Sequence, residues 1–348
     1  MAMMRSVLGS PLKTSRLPAG TGQSPGFSRE DWKVNSWSDP KWAPLRDVTV
    51  WLYQQLLGPI AERIEEADQL VIAPTGLMYY LPFHALGPFD PKTGEIGFLA
   101  LRKKVSYVAP GSLLKTVDAD AGATRRSQQQ PRILALGDVK FEVLKPLAYA
   151  KDELTAIKTL FAGAAVLLDG PRATKNELLK ALSDGSARDR KSQTETAGKG
   201  PLSPAGFTFV HLVTHGILDA KNPQESRLAL EGSNSLKTYE IARLDLRGVS
   251  LVTLSACDTA LARDNPGADL MSLGEYVSLA GAASVVVSLW SVDDLETKNL
   301  MKAFYTRLKQ DGSDKVAALQ RAQVELLKRP ESRHPFYWAA FVLYGKGW

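Results

Sequence analysis

Short apolar runs rich in β-branched residues alternate with helical segments along this chain. Two of these runs, residues 207–214 and 249–256, contain no Asp, Glu, Lys or Arg, which is typical of a strand buried on both faces. Comparable runs lie at residues 69–74, 105–110, 132–137, 164–168 and 283–290. Strands that alternate with helices pair in parallel, because each crossover needs a helix-sized connection. The pattern therefore predicts the α/β class, with mainly parallel sheet flanked by helices.

The two uncharged runs end in the same way, each at a residue with a reactive side chain. Residues 207–214 lead into His215, and residues 249–256 lead into Cys257. The carboxyl ends of neighbouring parallel strands meet at one edge of a sheet, where the loops diverge and leave a crevice. Taken singly, each residue also fits a structural role in the core. The matched pair favours a nucleophile and its proton-transfer partner.

The length of 348 residues indicates more than one domain. Residues 1–44 are rich in Ser, Pro and Gly and lack periodicity, which predicts a largely disordered segment whose tryptophans hold the chain that follows onto the body. A helix is predicted to end at Leu182, followed by a flexible Ser-, Gly-, Lys- and Asp-rich linker at 184–206. The predicted α/β subdomains are therefore 45–183 and 207–348.

Charge and cysteine usage limit the classes of partner and location. The net charge of +6 comes from scattered Lys and Arg residues, which do not directly indicate nucleic-acid binding. The single cysteine, Cys257, excludes a disulfide within the chain and suits a reducing compartment. No uninterrupted apolar run reaches the length of about 18 residues that a membrane helix needs. Residues 1–25 lack the apolar centre of a signal peptide. We expect a soluble cytoplasmic protein with no membrane partner.

The remaining histidines, His84, His211 and His334, are predicted to be structural. His211 precedes His215 by four residues, so both face one side of a strand and His211 lies deeper in the core. The four histidines and one cysteine are dispersed and lack the paired spacing of a zinc site. Neither GxGxxG nor GxxxxGK[ST] follows any strand, which argues against nucleotide binding. We predict neither a metal nor a cofactor.

Many short motifs occur in the order found in one known family. They are VTHG at 213–216, SRLAL at 226–230, LSACDT at 254–259, SL at 272–273 with GA at 281–282, VSLWSVDD at 287–294 and HPFYWAAF at 334–341, preceded by PTG at 74–76 and LPFHAL at 81–86. Over about residues 45–348 the chain thereby resembles the CHAT domain, a caspase-like cysteine peptidase domain related to separase and often attached to tetratricopeptide repeats.

This resemblance implies a caspase-haemoglobinase-like fold with an inactive pseudo-peptidase half (45–183) and an active half (207–348). It implies that His215 is the catalytic histidine and Cys257 the nucleophile. Tetratricopeptide helices are absent from this sequence, so the usual recognition or regulatory module is either missing or supplied by another chain. The expected partner is an activating or repeat-containing protein. The implied function is a cysteine endopeptidase that cleaves protein substrates; the alternative is a catalytically silent caspase-like adaptor.

The implied chemistry assigns further roles at the same sheet edge. The backbone N–H groups of Gly216 and Cys257 are the predicted donors to the oxyanion of the tetrahedral intermediate. Four acids in nearby loops are candidates for a substrate pocket that selects a basic side chain: Asp219, Asp258, Asp293 and Asp294. The alternative for the last two is that they cap the helix that follows.

Overall fold

The computed structural model describes residues 32–109, 130–192, 206–217, 219, 222–256, 268–290, 292–310 and 314–345. The strands of these ranges are β1 (Gln69–Ile72), β2 (Phe89–Asp90), β3 (Glu95–Ile96), β4 (Lys104–Tyr107), β5 (Ile133–Gly137), β6 (Ala165–Asp169), β7 (Phe209–Thr214), β8 (Gly216–Ile217), β9 (Arg227–Ala229), β10 (Ser235–Lys237), β11 (Leu251–Ala256), β12 (Ser284–Ser288) and β13 (Phe341–Gly345). The helices longer than a single 3₁₀ turn are α1 (Ala43–Leu56), α2 (Ala61–Glu66), α3 (Ala150–Phe161), α4 (Lys175–Ser192), α5 (Thr238–Ile241), α6 (Ala268–Leu279), α7 (Asp294–Gln310), α8 (Lys315–Leu327) and α9 (Pro335–Trp338).

One eight-stranded sheet forms the centre of the fold, in the order β1-β4-β13-β12-β11-β7-β5-β6. Neighbouring strands run parallel except β12 and β13, which are antiparallel. A small antiparallel sheet in the order β10-β9-β8 begins directly after β7, because β8 follows β7 in the chain. The mainly parallel central sheet confirms the predicted α/β class.

Helices cover both faces of the central sheet, and the side chains of β7 alternate between them, as the period of two requires. On one face, His211 bonds Glu153 of α3 and Tyr305 of α7. On the other face, Leu212 lines a narrow apolar cavity together with Leu178 of α4 and residues of α5 and α6. The core therefore consists of two helix layers with the sheet between them, and β7 lies at its centre.

Residues 32–44 belong to the segment predicted to be largely disordered, but they pack against the body of the protein. Trp37 is 1% exposed and meets Phe98 edge to face, with ring centroids 5.5 Å apart. Trp42 is also buried. Periodicity gives no sign of this packing because it reports regular elements, whereas single tryptophans bury a large apolar area without any repeat. Residues 1–31 lie outside the described residues.

The helix predicted to end at Leu182 continues as α4 to Ser192, so the first part of the predicted linker (184–206) is helical. Alanine, arginine and lysine in this stretch are good helix formers, and they outweigh a cost of about 1 kcal/mol for Gly185. Residues 193–205 lie outside the described part of the chain.

Strands from both sides of the predicted linker lie in the same sheet. β5 and β6 precede the linker in the sequence, and β5 pairs directly with β7, which follows it. β1 and β4 join the opposite side of the sheet through β13. The assignment of a pseudo-peptidase role to 45–183 and an active role to 207–348 stays a prediction.

A buried imidazole makes the stability of this fold depend on pH. His84 accepts a hydrogen bond from the Gln323 amide at 3.2 Å and donates one to the carbonyl of Ala339. Burial lowers the pKa of His84 from 6.5 to about 3. At pH values below 6.5, His84 therefore binds a proton in the unfolded chain but not in the native state. Native stability consequently falls as pH falls from 6.5 towards 3.

We expect His84→Gln to remove this contribution. Between about pH 7.5 and pH 5, the wild type should lose about 2 kcal/mol more stability than the variant. Urea unfolding of both proteins at both pH values measures the difference. Equal losses in the two proteins would contradict the assignment to His84.

Candidate active site

The carboxyl ends of β7 and β11 lie side by side and in register. Ala256, the last residue of β11, pairs with Thr214, the last residue of β7. The next residue after β7 is His215, and the next after β11 in the sequence is Cys257. Cys257 lies outside the described residues. The two runs that were singled out by their reactive ends are therefore adjacent parallel strands.

His215 is 4% exposed, and a main-chain group fixes the orientation of its ring. The Nε2–H group donates a hydrogen bond of 2.7 Å to the carbonyl oxygen of Lys145, since a carbonyl can only accept. The lone pair of the neutral imidazole is then on Nδ1. The ring of Phe141 lies against the imidazole, with centroids 4.7 Å apart. The imidazole is thus held as one tautomer, with Nδ1 as the basic nitrogen.

Sequence patterns did not indicate the loop at 138–149 that holds this imidazole. The loop begins at Asp138, whose φ of 53° lies in the left-handed region that few residues other than glycine adopt. A hydrogen bond of 2.8 Å from the N–H of Lys140 to Oε2 of Glu231 ties the loop to the small sheet. Lys145 acts through its carbonyl, which every residue has, so no side-chain signal marks it in the sequence.

The turn after β7 is tied to the small antiparallel sheet. The hydroxyl of Thr214 donates to the carbonyl of Ala229, and the N–H of Ala229 donates to the carbonyl of His215 at 2.9 Å. Gly216 follows immediately and pairs with β9. These bonds fix the main chain at the point where the predicted oxyanion donor lies. The donor role of the Gly216 and Cys257 N–H groups stays a prediction.

The predicted pocket acids are engaged in different ways. Asp258 lies outside the described residues. Asp219 closes a turn, in which its Oδ1 accepts a hydrogen bond of 2.9 Å from the N–H of Asn222. Asp293 accepts two hydrogen bonds of 3.1 Å from main-chain N–H groups in the first turn of α7. Asp293 therefore makes the capping interaction that was the alternative to a pocket role.

Asp294, the first residue of α7, contacts the loop that holds His215. Its Oδ2 accepts a hydrogen bond of 3.0 Å from the N–H of Ala148. Burial raises the pKa of this carboxyl above its usual range, while the hydrogen bond from Ala148 and the nearby His215 imidazole oppose the rise. Its participation in a substrate pocket stays a prediction.

A buried polar network lies on the same face of the sheet, deeper than His215. Nε2 of His211 is 2.7 Å from Oε1 of Glu153, and its Nδ1 is 3.0 Å from the hydroxyl of Tyr305. The hydroxyl oxygen of Tyr305 is 2.9 Å from Oγ1 of Thr253. Burial raises the pKa of Tyr305, which keeps its phenol protonated. These contacts confirm that His211 is a hydrogen-bonded core residue, while Glu153 and Tyr305 had no signal beyond helical periodicity.

Two further properties of the described residues bear on possible ligands and location. No group of three or more His, Cys, Asp or Glu side chains within the described ranges could hold a metal ion. Every helix in those ranges is too short or too polar to cross a membrane.

Comparison with known families gives a match over most of the chain. The model of the CHAT domain matches residues 46–346. Tetratricopeptide repeat protein 28 of Mus musculus is 28% identical over 214 residues, which are 58% of this chain and 9% of that protein. The matched segment thus spans less than a tenth of the length of this relative.

Solved structures that are similar to this chain include the two that follow. The separase of the Saccharomyces cerevisiae separase–securin complex has a TM-score of 0.43 and 14% identity, and the match covers 72% of this chain and 14% of that chain. The Arg-specific cysteine proteinase gingipain R has a TM-score of 0.46 and 11% identity, with 87% of this chain and 74% of that chain covered. Likeness at this level carries no argument about activity.

Proposed function

This chain belongs to the CHAT-domain family, and from that premise we propose that it is a cysteine endopeptidase with His215 and Cys257 as its catalytic dyad. The register of β7 and β11 carries the proposal, because the paired residues Thr214 and Ala256 are followed directly by these two residues. Consecutive Cα atoms are about 3.8 Å apart, so each reactive residue begins within one peptide unit of the paired strand ends.

The proposed reaction uses the tautomer that the Lys145 carbonyl favours. Nδ1 of His215 takes the proton of the Cys257 thiol, which has an ordinary pKa of about 8.5 and is otherwise mostly protonated at neutral pH. The thiolate sulfur attacks the carbonyl carbon of a peptide bond. The C–N bond then breaks, the imidazolium gives its proton to the departing amine, and a thioester remains. Water attacks the thioester, His215 accepts a proton from this water, and the C–S bond breaks to release the acid and the thiolate.

Charge and main-chain donors complete the proposed site. The tetrahedral oxyanion would accept hydrogen bonds from the N–H groups of Gly216 and Cys257. Glycine at 216 supports this assignment, since the absence of a Cβ lets the substrate approach the main chain. We propose Asp219 and Asp258 as candidates for selecting a basic side chain. Asp293, which also caps α7, and Asp294, which also bonds the N–H of Ala148, are further candidates.

A second protein is proposed to recognise or activate the site. The family relative in mouse is a tetratricopeptide repeat protein, and the match covers only a small part of it. A repeat-containing partner would supply a recognition surface in addition to the residues of the CHAT domain itself. The single cysteine supports a location in the reducing cytoplasm.

A peptide-cleavage assay tests the proposal. The purified protein is incubated with a mixed peptide library, and new termini are identified by mass spectrometry. We expect cleavage after a common residue type, and complete loss of cleavage after treatment with iodoacetamide, which can alkylate no cysteine except Cys257. Cleavage that continues after complete alkylation would exclude the thiol mechanism. If no peptide is cleaved and the Cys257 thiol reacts with iodoacetamide at the rate of an ordinary thiol, the catalytically silent adaptor is favoured.

A further inference from the structure

The loop at 145–149 is bonded in two directions, and only two residues separate the two bonds. On one side, the carbonyl of Lys145 accepts the Nε2–H of His215 at 2.7 Å. On the other side, the N–H of Ala148 donates to Oδ2 of Asp294 at 3.0 Å. A short segment of main chain therefore links the carboxyl at the start of α7 to the imidazole at the end of β7.

The N-terminal part of α7 faces this loop at two more places. Nζ of Lys298 lies over the ring of Tyr149, 5.0 Å from its centroid. Thr297 and Asp294 line a small cavity together with Leu147 and Tyr149. A cation over an aromatic face and a hydrogen bond to a carboxylate both stabilise the packing of the loop against α7. The contacts thus come from positions 294, 297 and 298, which lie on one face of α7 at i, i+3 and i+4 spacing, and they hold the loop against that face.

The helix that carries Asp294 is itself firmly seated. Leu300, Met301, Phe304 and Tyr305 of α7 are fully buried. Asp293 caps the first turn of α7 independently of Asp294. Asp294 is therefore attached to a rigid element. The loop that it contacts has no regular secondary structure between β5 and α3 apart from isolated turns and one bridge between Phe141 and Gly232.

We propose that Asp294 is a positioning residue that holds the Lys145 carbonyl in place and thereby fixes the orientation of His215. The proposal rests on the function proposed above and concerns the same dyad. It gives Asp294 a role through the main chain of a loop, and this role does not require contact with the substrate. Loss of the Ala148 hydrogen bond would let the loop move away from α7, and Nε2 of His215 would lose its fixed acceptor.

The chain offers a direct measure of this effect that needs no substrate. Cys257 is the only cysteine, so the rate of alkylation by iodoacetamide reports on one thiol. Its dependence on pH gives the apparent pKa of that thiol, because only the thiolate reacts. An imidazole held in the correct orientation lowers this value, and an imidazole that rotates freely does so less.

Three variants separate positioning from charge and from helix stability. Asp294→Ala removes the acceptor, and we expect the midpoint of the alkylation profile to rise by about one pH unit. Asp294→Asn keeps an oxygen that can accept the Ala148 N–H, and we expect it to restore most of the shift. Asp314→Ala is the matched control, since Asp314 accepts the Ala317 N–H at 2.9 Å at the start of α8 and has no contact with the loop. We expect it to lower the melting temperature and leave the midpoint unchanged.

The outcomes distinguish this inference from the proposed function. A wild-type midpoint near 8.5 that His215→Ala does not move would overturn the dyad and the positioning role together. A depressed midpoint that depends on His215 but is unchanged in Asp294→Ala would leave the dyad standing and overturn the positioning role. Equal shifts in Asp294→Ala and Asp294→Asn would show that the charge of Asp294, and not its hydrogen bond to Ala148, affects the thiol. This result would also overturn the positioning role.

Discussion

Replacing Cys257 with alanine should abolish peptide cleavage, and replacing His215 with alanine should lower kcat/KM by about 10³-fold or more. Alanine cannot form the thioester, so the first variant has no acyl intermediate. Without the imidazole, the thiol stays mostly protonated at neutral pH and the leaving amine receives no proton. Steady-state cleavage of one peptide identified from the library measures both effects.

His84→Gln is the matched control for the loss of an imidazole. His84 bonds Gln323 and Ala339 in the core and has no contact with the Lys145 carbonyl. At neutral pH its kcat/KM should equal that of the wild type. A His215→Ala protein with undiminished kcat/KM would exclude proton transfer at His215, and full activity in Cys257→Ala would exclude the proposed nucleophile.

Replacing Glu153 with leucine should destabilise the fold by about 3–5 kcal/mol, the cost of leaving one member of a buried polar pair without its partner. Glu153 and His211 are 2% and 0% exposed, so water cannot replace the lost contact at Nε2 of His211. The remaining bond from His211 to Tyr305 satisfies only one ring nitrogen. Urea unfolding followed by circular dichroism measures the loss.

The double variant Glu153→Leu/His211→Leu tests whether the two residues act as a pair. We expect it to be less destabilised than the sum of the single variants, because removing both partners leaves no orphaned group. Asp245→Asn is the comparison for an ion pair at the surface, since Asp245 and Arg247 are 45% and 75% exposed. Its effect should be barely measurable. Additive losses in the double variant would contradict a coupled pair.

Several elements of the fold were predictable because their residues carry a periodic signal. The two uncharged runs became β7 and β11, and Gly58-Pro59 lies between α1 and α2. In both cases the signal is local: a strand buried on both faces excludes charge, and proline cannot continue a helix. The residues of the two runs do not by themselves show that β7 and β11 are neighbours, and the order of the strands in the sheet was not predicted.

The antiparallel strand β13 shows what local patterns leave open. Its residues are apolar, but its position between β4 and β12 depends on pairing across more than fifty residues of sequence on one side and more than two hundred on the other. Such pairing depends on which backbone edges remain available after the other strands have assembled. No side-chain pattern within residues 341–345 encodes that choice.

The sequence by itself determined the α/β class, the two reactive strand ends and the family, because each depends on side-chain types at fixed spacing along the chain. The tertiary structure alone decided which groups surround His215. Lys145 contributes a carbonyl, and Ala148 contributes an N–H to the carboxyl of Asp294. Backbone groups are the same in every residue, so their partners are set by the path of the loop and the position of α7. Sequence spacing cannot specify contacts of that kind.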